Sequence, residues 1–214
     1  ADDTPQLRRL LALRQRHDVP LALAVSPFLI QPALPQLLRG EAGVDVLVHG
    51  LEHRNHAPAG AKRQELGYAP PDTFVARLSE GLARHRDAFG DRALPVMVPP
   101  WNRIDQNIIE TLHDIGFTGL STFGLRTSAQ LAGLCVHNTH IDPVDWRKGK
   151  RLGDPASLAS QVAALAEAGE PVGLLTHHLI HDGATWRFVD RLLALLAGHP
   201  AVRFRPAHGL WSRR

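Results

Sequence analysis

Val44-Asp45-Val46-Leu47-Val48-His49-Gly50-Leu51-Glu52-His53-Arg54-Asn55-His56 is the stretch on which the fold turns. An apolar, β-branched run stops abruptly at His49, and further histidines follow four and seven residues on. A run that is apolar almost throughout, rather than alternating, reads as a strand buried on both faces of a parallel sheet. A helical turn after His49 would set His49, His53 and His56 along one side. Two imidazoles one turn apart can hold a single metal ion, as in other His-x-x-x-His sites. In a chain with 13 histidines such spacing also fits a solvated surface. The position at the end of an apolar strand, where parallel α/β folds build their sites, favours the ligand reading.

Outward from this strand the chain alternates. Residues 5–17 have a helical period, with Thr4 as N-cap and Pro5 at the first helical position. Residues 19–25 read as a strand broken by Ser26-Pro27, and a short helix over 33–39 leads to Gly40. A polar loop, 57–71, precedes an amphipathic helix over 72–89, with Asp72 as N-cap and Gly90 as its stop. Strand 94–98 runs into Pro99-Pro100-Trp101-Asn102-Arg103, and a helix over 105–115 stops at Gly116. Strands over 117–123 and 134–141, a helix over 154–168 capped by Gly169, and a strand over 172–176 follow. The strand over 172–176 ends in His177-His178; a helix over 184–197 and a last strand over 202–204, running toward His208, close the chain. Seven strands separated mostly by helices predict parallel βαβ units with right-handed crossovers. They fit a (β/α) barrel or an open doubly wound sheet, and neither the dinucleotide fingerprint nor the P-loop is present.

At 214 residues the length fits one domain with a sizeable core. The 44% hydrophobic and 21% charged residues are those of an ordinary globular protein. No apolar run nears the roughly 20 residues that cross a bilayer, so no membrane association is expected. A net charge of +3, without a basic block interleaved with aromatics, gives nucleic-acid binding no support. The single cysteine, Cys135, excludes an intrachain disulfide and fits a reducing, cytoplasmic setting. Between Leu134 and Val136 it reads as an inert core thiol. The chain opens on Ala-Asp-Asp with neither a signal peptide nor an initiator Met.

Polar and aromatic residues gather at the C-terminal ends of the expected strands: Ser26; His49; Trp101, Asn102 and Arg103; His140 and Asp142; His177 and His178; His208. In a barrel those ends converge on one face. In four motifs the chain resembles the polysaccharide deacetylases of carbohydrate esterase family four, which share a distorted (β/α) barrel. His49-Gly50-Leu51-Glu52-His53 is similar to the family's His-x-x-x-His metal motif. Pro99-Pro100-Trp101-Asn102 resembles its Pro-aromatic wall, Asp142-Pro143-Val144-Asp145-Trp146 its Asp-x-x-Asp-Trp motif, and Leu175-Thr176-His177 its Leu-x-His. The texts His53-Arg54-Asn55-His56-Ala57-Pro58, Pro99-Pro100-Trp101-Asn102-Arg103-Ile104 and Leu174-Leu175-Thr176-His177-His178-Leu179 are closer still to a bacterial subgroup.

The resemblance implies a (β/α)7-type barrel and hydrolysis of an N-acyl amide, the substrate being an N-acetylated carbohydrate or a small amide. It implies His49 and His53 as ligands of a divalent metal, zinc foremost, and His177 as the general acid. Trp101, Asn102, Arg103, Asp142, Asp145 and Trp146 become substrate or oxyanion contacts, with imidazoles 49, 53 and 177 expected at one mouth of the barrel. His56 and His178 are expected to be structural, and Trp186 and Trp211 to be packing. His181 and Asp182 either orient one of the adjacent histidines or begin the next helix. The sequence departs from the family in two places. The family's first strand ends in an Asp-Asp base and ligand pair, whereas Asp2-Asp3 directly precede Thr4-Pro5 and read as loop acids. The barrel is therefore expected to lack its first strand in this chain. The family's usual Arg three residues before the aromatic is Val98 here, with Arg103 as a substitute from the other side. A metal-independent amidohydrolase and an inert carbohydrate-binding barrel remain as alternatives.

Overall fold

The computed structural model describes residues 2–167, 169 and 171–211. The chain divides into two compact units, one of residues 1–3, 21–137 and 206–214, the other of residues 4–20 and 138–205.

The first unit is built on a six-stranded sheet of order β1-β2-β3-β4-β6-β5. Its strands are β1 (Leu21–Val25), β2 (Val44–Val48), β3 (Ala93–Met97), β4 (Gly119–Leu120), β5 (Gln130–Leu131) and β6 (Leu134–Val136). All pairings are parallel except β5–β6, so the expected α/β class with βαβ units holds. β1 pairs in register with β2 from Leu21–Val44 to Val25–Val48. Every residue of β2 is buried, as a run that is apolar almost throughout requires, and its one charged residue, Asp45, is bonded to His208. α2 (Ala33–Leu38) precedes β2, while α3 (Asp72–Phe89) and α4 (Gln106–Ile115) flank β3 in sequence. α3 buries Phe74, Leu78, Leu82 and Phe89 at helical spacing. Each such side chain stabilises the fold by about 1.5–3 kcal/mol. Its one buried imidazole, His85, donates from Nε2 to the Val46 carbonyl at 3.0 Å. The cap of α3 lies one residue earlier than expected: Pro71 is the N-cap, and Asp72 provides first-turn negative charge.

The second unit contains α1 (Pro5–His17), α5 (Pro155–Glu167), α6 (Gly183–Gly198) and the antiparallel pair β7 (Val144–Asp145) and β8 (Arg151–Leu152). Thr4 caps α1 by accepting from Leu7 N–H at 3.1 Å, as its sequence predicts. His17 and Arg16 meet Asp190 of α6 at 2.6 and 3.0 Å, and Arg9 lies over the Trp186 ring at 4.7 Å. Trp186 is thus the packing residue anticipated.

Several expected strands are corrected. Residues 117–123 keep only β4, and 134–141 only β6, whose partner β5 is reached through Ala132 and Gly133, both at positive φ. Residues 172–176 make one isolated parallel bridge, Leu174 to Ile141, and not a strand. Residues 202–204 form no strand, because Val202 N–H closes a turn on His199 O and α7 (Ala207–Trp211) begins shortly after. Short apolar runs satisfy the strand pattern without a neighbour able to complete a ladder. The expected end of the 154–168 helix falls partly at Ala168, outside the described residues. Among the described residues, no helix is long and apolar enough to cross a membrane.

Candidate active site

β2 delivers His49 at its C-terminal end, where His49 N–H continues the ladder to Val25 O at 2.9 Å. His49 Nδ1 donates to the Val98 carbonyl at 2.8 Å. That bond fixes the tautomer with the proton on Nδ1 and the lone pair on Nε2, the arrangement usual for metal-ligating histidines. The chain does not become helical after His49. Gly50 (φ 57) and His53 (φ 59) turn it in a left-handed loop, which still brings the His49 and His53 rings to 5.1 Å between centroids. His56 stacks on Phe74 at 6.1 Å and so belongs to packing, as expected.

The loop is held by a residue the sequence reading passed over. Glu65, 1% exposed, accepts from Leu51, Glu52 and Arg54 N–H, each at 2.9 Å. Around it Gln64 donates to Asp105 at 2.6 Å and to Leu66 O at 2.9 Å, and Asn55 accepts from Gln64 N–H at 2.9 Å. The loop over 57–71 is therefore an organised support. Its signal in the sequence was Gln64-Glu65-Leu66-Gly67, two polar residues against an apolar one within a stretch that is otherwise loop-like.

Gly50 is required at its position. A Cβ there would lie 2.0 Å from Glu65 Oε2 and 2.6 Å from Pro100 Cδ, on a backbone that L-residues rarely adopt. Gly50→Ala is expected to lower stability by about 3 kcal/mol, combining overpacking with left-handed strain. A urea-unfolding midpoint unchanged from wild type would contradict this.

Trp101 and Asn102 carry consecutive positive φ values, 56 and 57, and the Trp101 ring meets His53 edge-on at 4.3 Å. Asn102 N–H bonds Pro99 O at 3.0 Å and Arg103 N–H bonds Pro100 O at 3.3 Å, so both amides serve the turn itself. Arg103 Nη1 donates to Arg63 O at 3.1 Å. That bond ties the turn to the loop over 57–71.

In the second unit, Asp142 gathers the other expected residues. Its Oδ2 receives Trp146 Nε1 at 2.8 Å and lies 3.3 Å from His177 Nε2, while Oδ1 accepts from Val144 N–H at 2.9 Å. Burial alone would raise the Asp142 pKa, but the bonds from His177, Trp146 and Val144 outweigh it and hold the carboxyl below its ordinary value. The Trp146 ring, half-exposed, meets His177 edge-on at 4.8 Å. Asp145 accepts from Arg147 and Lys148 N–H at 2.9 and 3.1 Å, which makes it the turn residue of the β7–β8 hairpin. His177 and His178 are not opposite-facing strand residues as expected: His177 precedes a 3-10 turn that begins at His178. His181 Nε2 accepts from His177 N–H at 3.1 Å, so His181 orients the backbone of the histidine beside Asp142. Asp182 caps α6 through Thr185 N–H at 2.7 Å. His140 Nδ1 accepts from Gly173 N–H at 3.1 Å.

His208 is misplaced in the sequence reading. It bonds Asp45, the second residue of β2, through its N–H at 2.9 Å and its Nδ1 at 3.0 Å. That places it at the N-terminal end of the strand whose C-terminal end carries His49. Trp211 packs in the space beside Gly119 and donates to Cys135 O at 3.1 Å, as a packing residue should.

One buried imidazole, His85, and two half-buried ones, His178 and His181, give the fold an acid-side weakness. Burial lowers the pKa of His85 and of His178, and it takes His181 from 6.5 to about 4 with help from His177 and His178. Between the unfolded value of 6.5 and these lower folded values the unfolded chain binds more protons, so stability is lost as pH falls through that window. Solvent screening at the half-buried His181 keeps its share to about 2 kcal/mol. Urea midpoints at pH 7.5 and 4.5 should differ accordingly; equal midpoints would contradict the assignment.

For a divalent metal the donors that fit are His49 and His53, by ring separation and by the tautomer imposed on His49. Among the described residues no group of three or more His, Cys, Asp or Glu side chains is placed to hold an ion. Asp2 and Asp3 fall in the same compact unit as the histidine pair, Asp3 N–H bonding Asp2 Oδ1 at 2.8 Å.

Neither a family model nor a curated protein matches the sequence. Solved structures do. A family 4 carbohydrate esterase from Streptomyces lividans in complex with acetate superposes with TM-score 0.62 at 16% identity, over 98% of this chain and 92% of that one. The Bc1960 peptidoglycan N-acetylglucosamine deacetylase gives TM-score 0.63 at 13% identity, over 99% and 84%. A family 4 acetyl xylan esterase from Clostridium thermocellum in complex with a cobalt ion gives 0.57 at 14% identity, over 95% and 84%. The fold of this chain is the one shared by these deacetylases and carbohydrate esterases, as the four motifs implied.

Proposed function

We propose that the protein is a metal-dependent hydrolase that removes the acetyl group from an N-acetylated carbohydrate. The observation that carries this is the His49–His53 pair at the end of β2, with the His49 tautomer fixed by Val98, on a fold shared with deacetylases. A divalent ion held by the two imidazoles, zinc foremost, supplies Lewis acidity toward the acyl oxygen and activation of a water; the cobalt-bound esterase of the same fold supports a divalent metal in general.

The chain's own residues supply the leaving-group proton and the substrate contacts. His177 delivers a proton to the departing nitrogen, without which an amine is a poor leaving group. Asp142 orients the His177 ring and stabilises its cationic form through their 3.3 Å contact. The Trp101 N–H serves as oxyanion donor, a contribution of about 3 kcal/mol in comparable sites. The half-exposed Trp146, edge-on to His177, offers its flat face to a sugar ring.

A second reading is a metal-independent hydrolase of a small amide; among the described residues no group of three or more ligands is placed to hold an ion. Acetate release from N-acetylglucosamine oligomers and from acetylated xylan, with and without chelator, separates the readings. Chelator-sensitive release from the oligomers is expected. Release indifferent to chelator would favour the second reading, and no release from any acyl donor would leave an inert carbohydrate-binding barrel.

A further inference from the structure

Glu65 carries a buried charge in a place where an apolar side chain would fill the space, and burying a carboxylate is expensive unless every lone pair is used. Here both oxygens are used: Oε2 accepts from Leu51 N–H, and Oε1 from Glu52 and Arg54 N–H, all at 2.9 Å. The Leu51 and Glu52 amides lie between His49 and His53, and the Arg54 amide follows His53 directly. Gly50 makes the approach possible, since the space its Cβ would fill is 2.0 Å from Oε2. Glu65 itself sits on fixed backbone. Gln64 is tied to Asp105 and to Leu66 O, and Leu66, fully buried, bridges to Ile104. At the far end of the segment His53 has φ 59, a conformation an L-residue adopts only under constraint.

We infer that Glu65 is the positioning residue of the His49–His53 pair: its carboxylate gathers three loop amides and so sets His53 against His49 before any ion arrives. The inference rests on the metal-binding reading of that pair. Charge-assisted bonds are the strong ones, and three from one anion offset the strain at His53. Neutralising the carboxylate leaves an amide NH2 facing a backbone N–H on one side, and the segment must relax.

The test is cobalt(II) titration of the whole chain, wild type against Glu65→Gln and Glu65→Asp, with circular dichroism to confirm folding. Glu65→Gln should weaken cobalt binding by about 10–100-fold, the usual effect of losing a group that orients a ligand, with altered cobalt d–d absorption. Glu65→Asp, which keeps the charge, should lose less. A folded Glu65→Gln protein that binds cobalt within about twofold of wild type would overturn the inference, since outer-shell losses of this kind are much larger. A measurement on the metal-free wild type needs no variant: the Leu51, Glu52 and Arg54 amides should be protected from hydrogen exchange. Exchange at open-loop rates would show that Glu65 does not order the segment. If the wild type takes up no cobalt, the metal reading fails, and the exchange rates alone decide the role of Glu65.

Discussion

Replacing His49 with alanine is expected to abolish metal uptake and to lower kcat/KM for acetate release by about a thousandfold or more, the several kcal/mol that a Lewis acid contributes. The protein should remain folded. The substitution removes the hydrogen bond to Val98 O, worth about 1 kcal/mol. His53→Ala should act alike on metal and rate. His56→Ala is the control, because that ring stacks on Phe74; its activity should stay within a few-fold of wild type. Isothermal titration with zinc beside the acetate assay reads both effects. Full metal affinity in His49→Ala would remove His49 from the ligand set.

The second large effect is at His177. Its replacement by alanine should lower kcat for an N-acetyl substrate by about 10²–10⁴, the usual value of a general acid, with little change in KM. The loss should shrink for an acyl donor whose leaving group needs no proton, such as a nitrophenyl ester. Added imidazole should restore part of the rate. Asp142→Asn keeps the shape but loses the charge, and its NH2 opposes either Trp146 Nε1 and His177 Nε2, which share Oδ2, or the Val144 N–H at Oδ1. It should lose rate in the same leaving-group-dependent way. Equal losses on amide and activated ester would show that His177 does not act as the acid.

Much of this was visible in the order of residues, and the exceptions have physical causes. β2 and His49 were readable because a strand buried on both faces is apolar almost throughout, and the break is sharp. α3 was readable from its 3.6-residue period, and its N-cap was misplaced by one position. The Asp142, Trp146 and His177 grouping was indicated by motif, but the role of Asp142 was not: only the coordinates show its carboxylate between the indole and the imidazole. Glu65 was missed because the amides it gathers carry no sequence label; a backbone N–H looks the same in every residue. The β7–β8 hairpin was missed because two-residue strands leave no period to detect. Residues 172–176 and 202–204 were over-read for the converse reason, that an apolar run specifies burial and leaves the choice of partner open. The error at His208 followed from the second of these, since its position was inferred from a strand that does not form.

Metal content and acetate release measured on one preparation, stripped of metal and then reloaded, test the central claim most directly. The stripped protein should release no acetate from N-acetylglucosamine oligomers. Zinc or cobalt should restore release in proportion to the ion bound, and a His49→Ala/His53→Ala variant should bind none and release none. Undiminished release by the stripped protein, or equal uptake of the ion by the variant, would contradict the account.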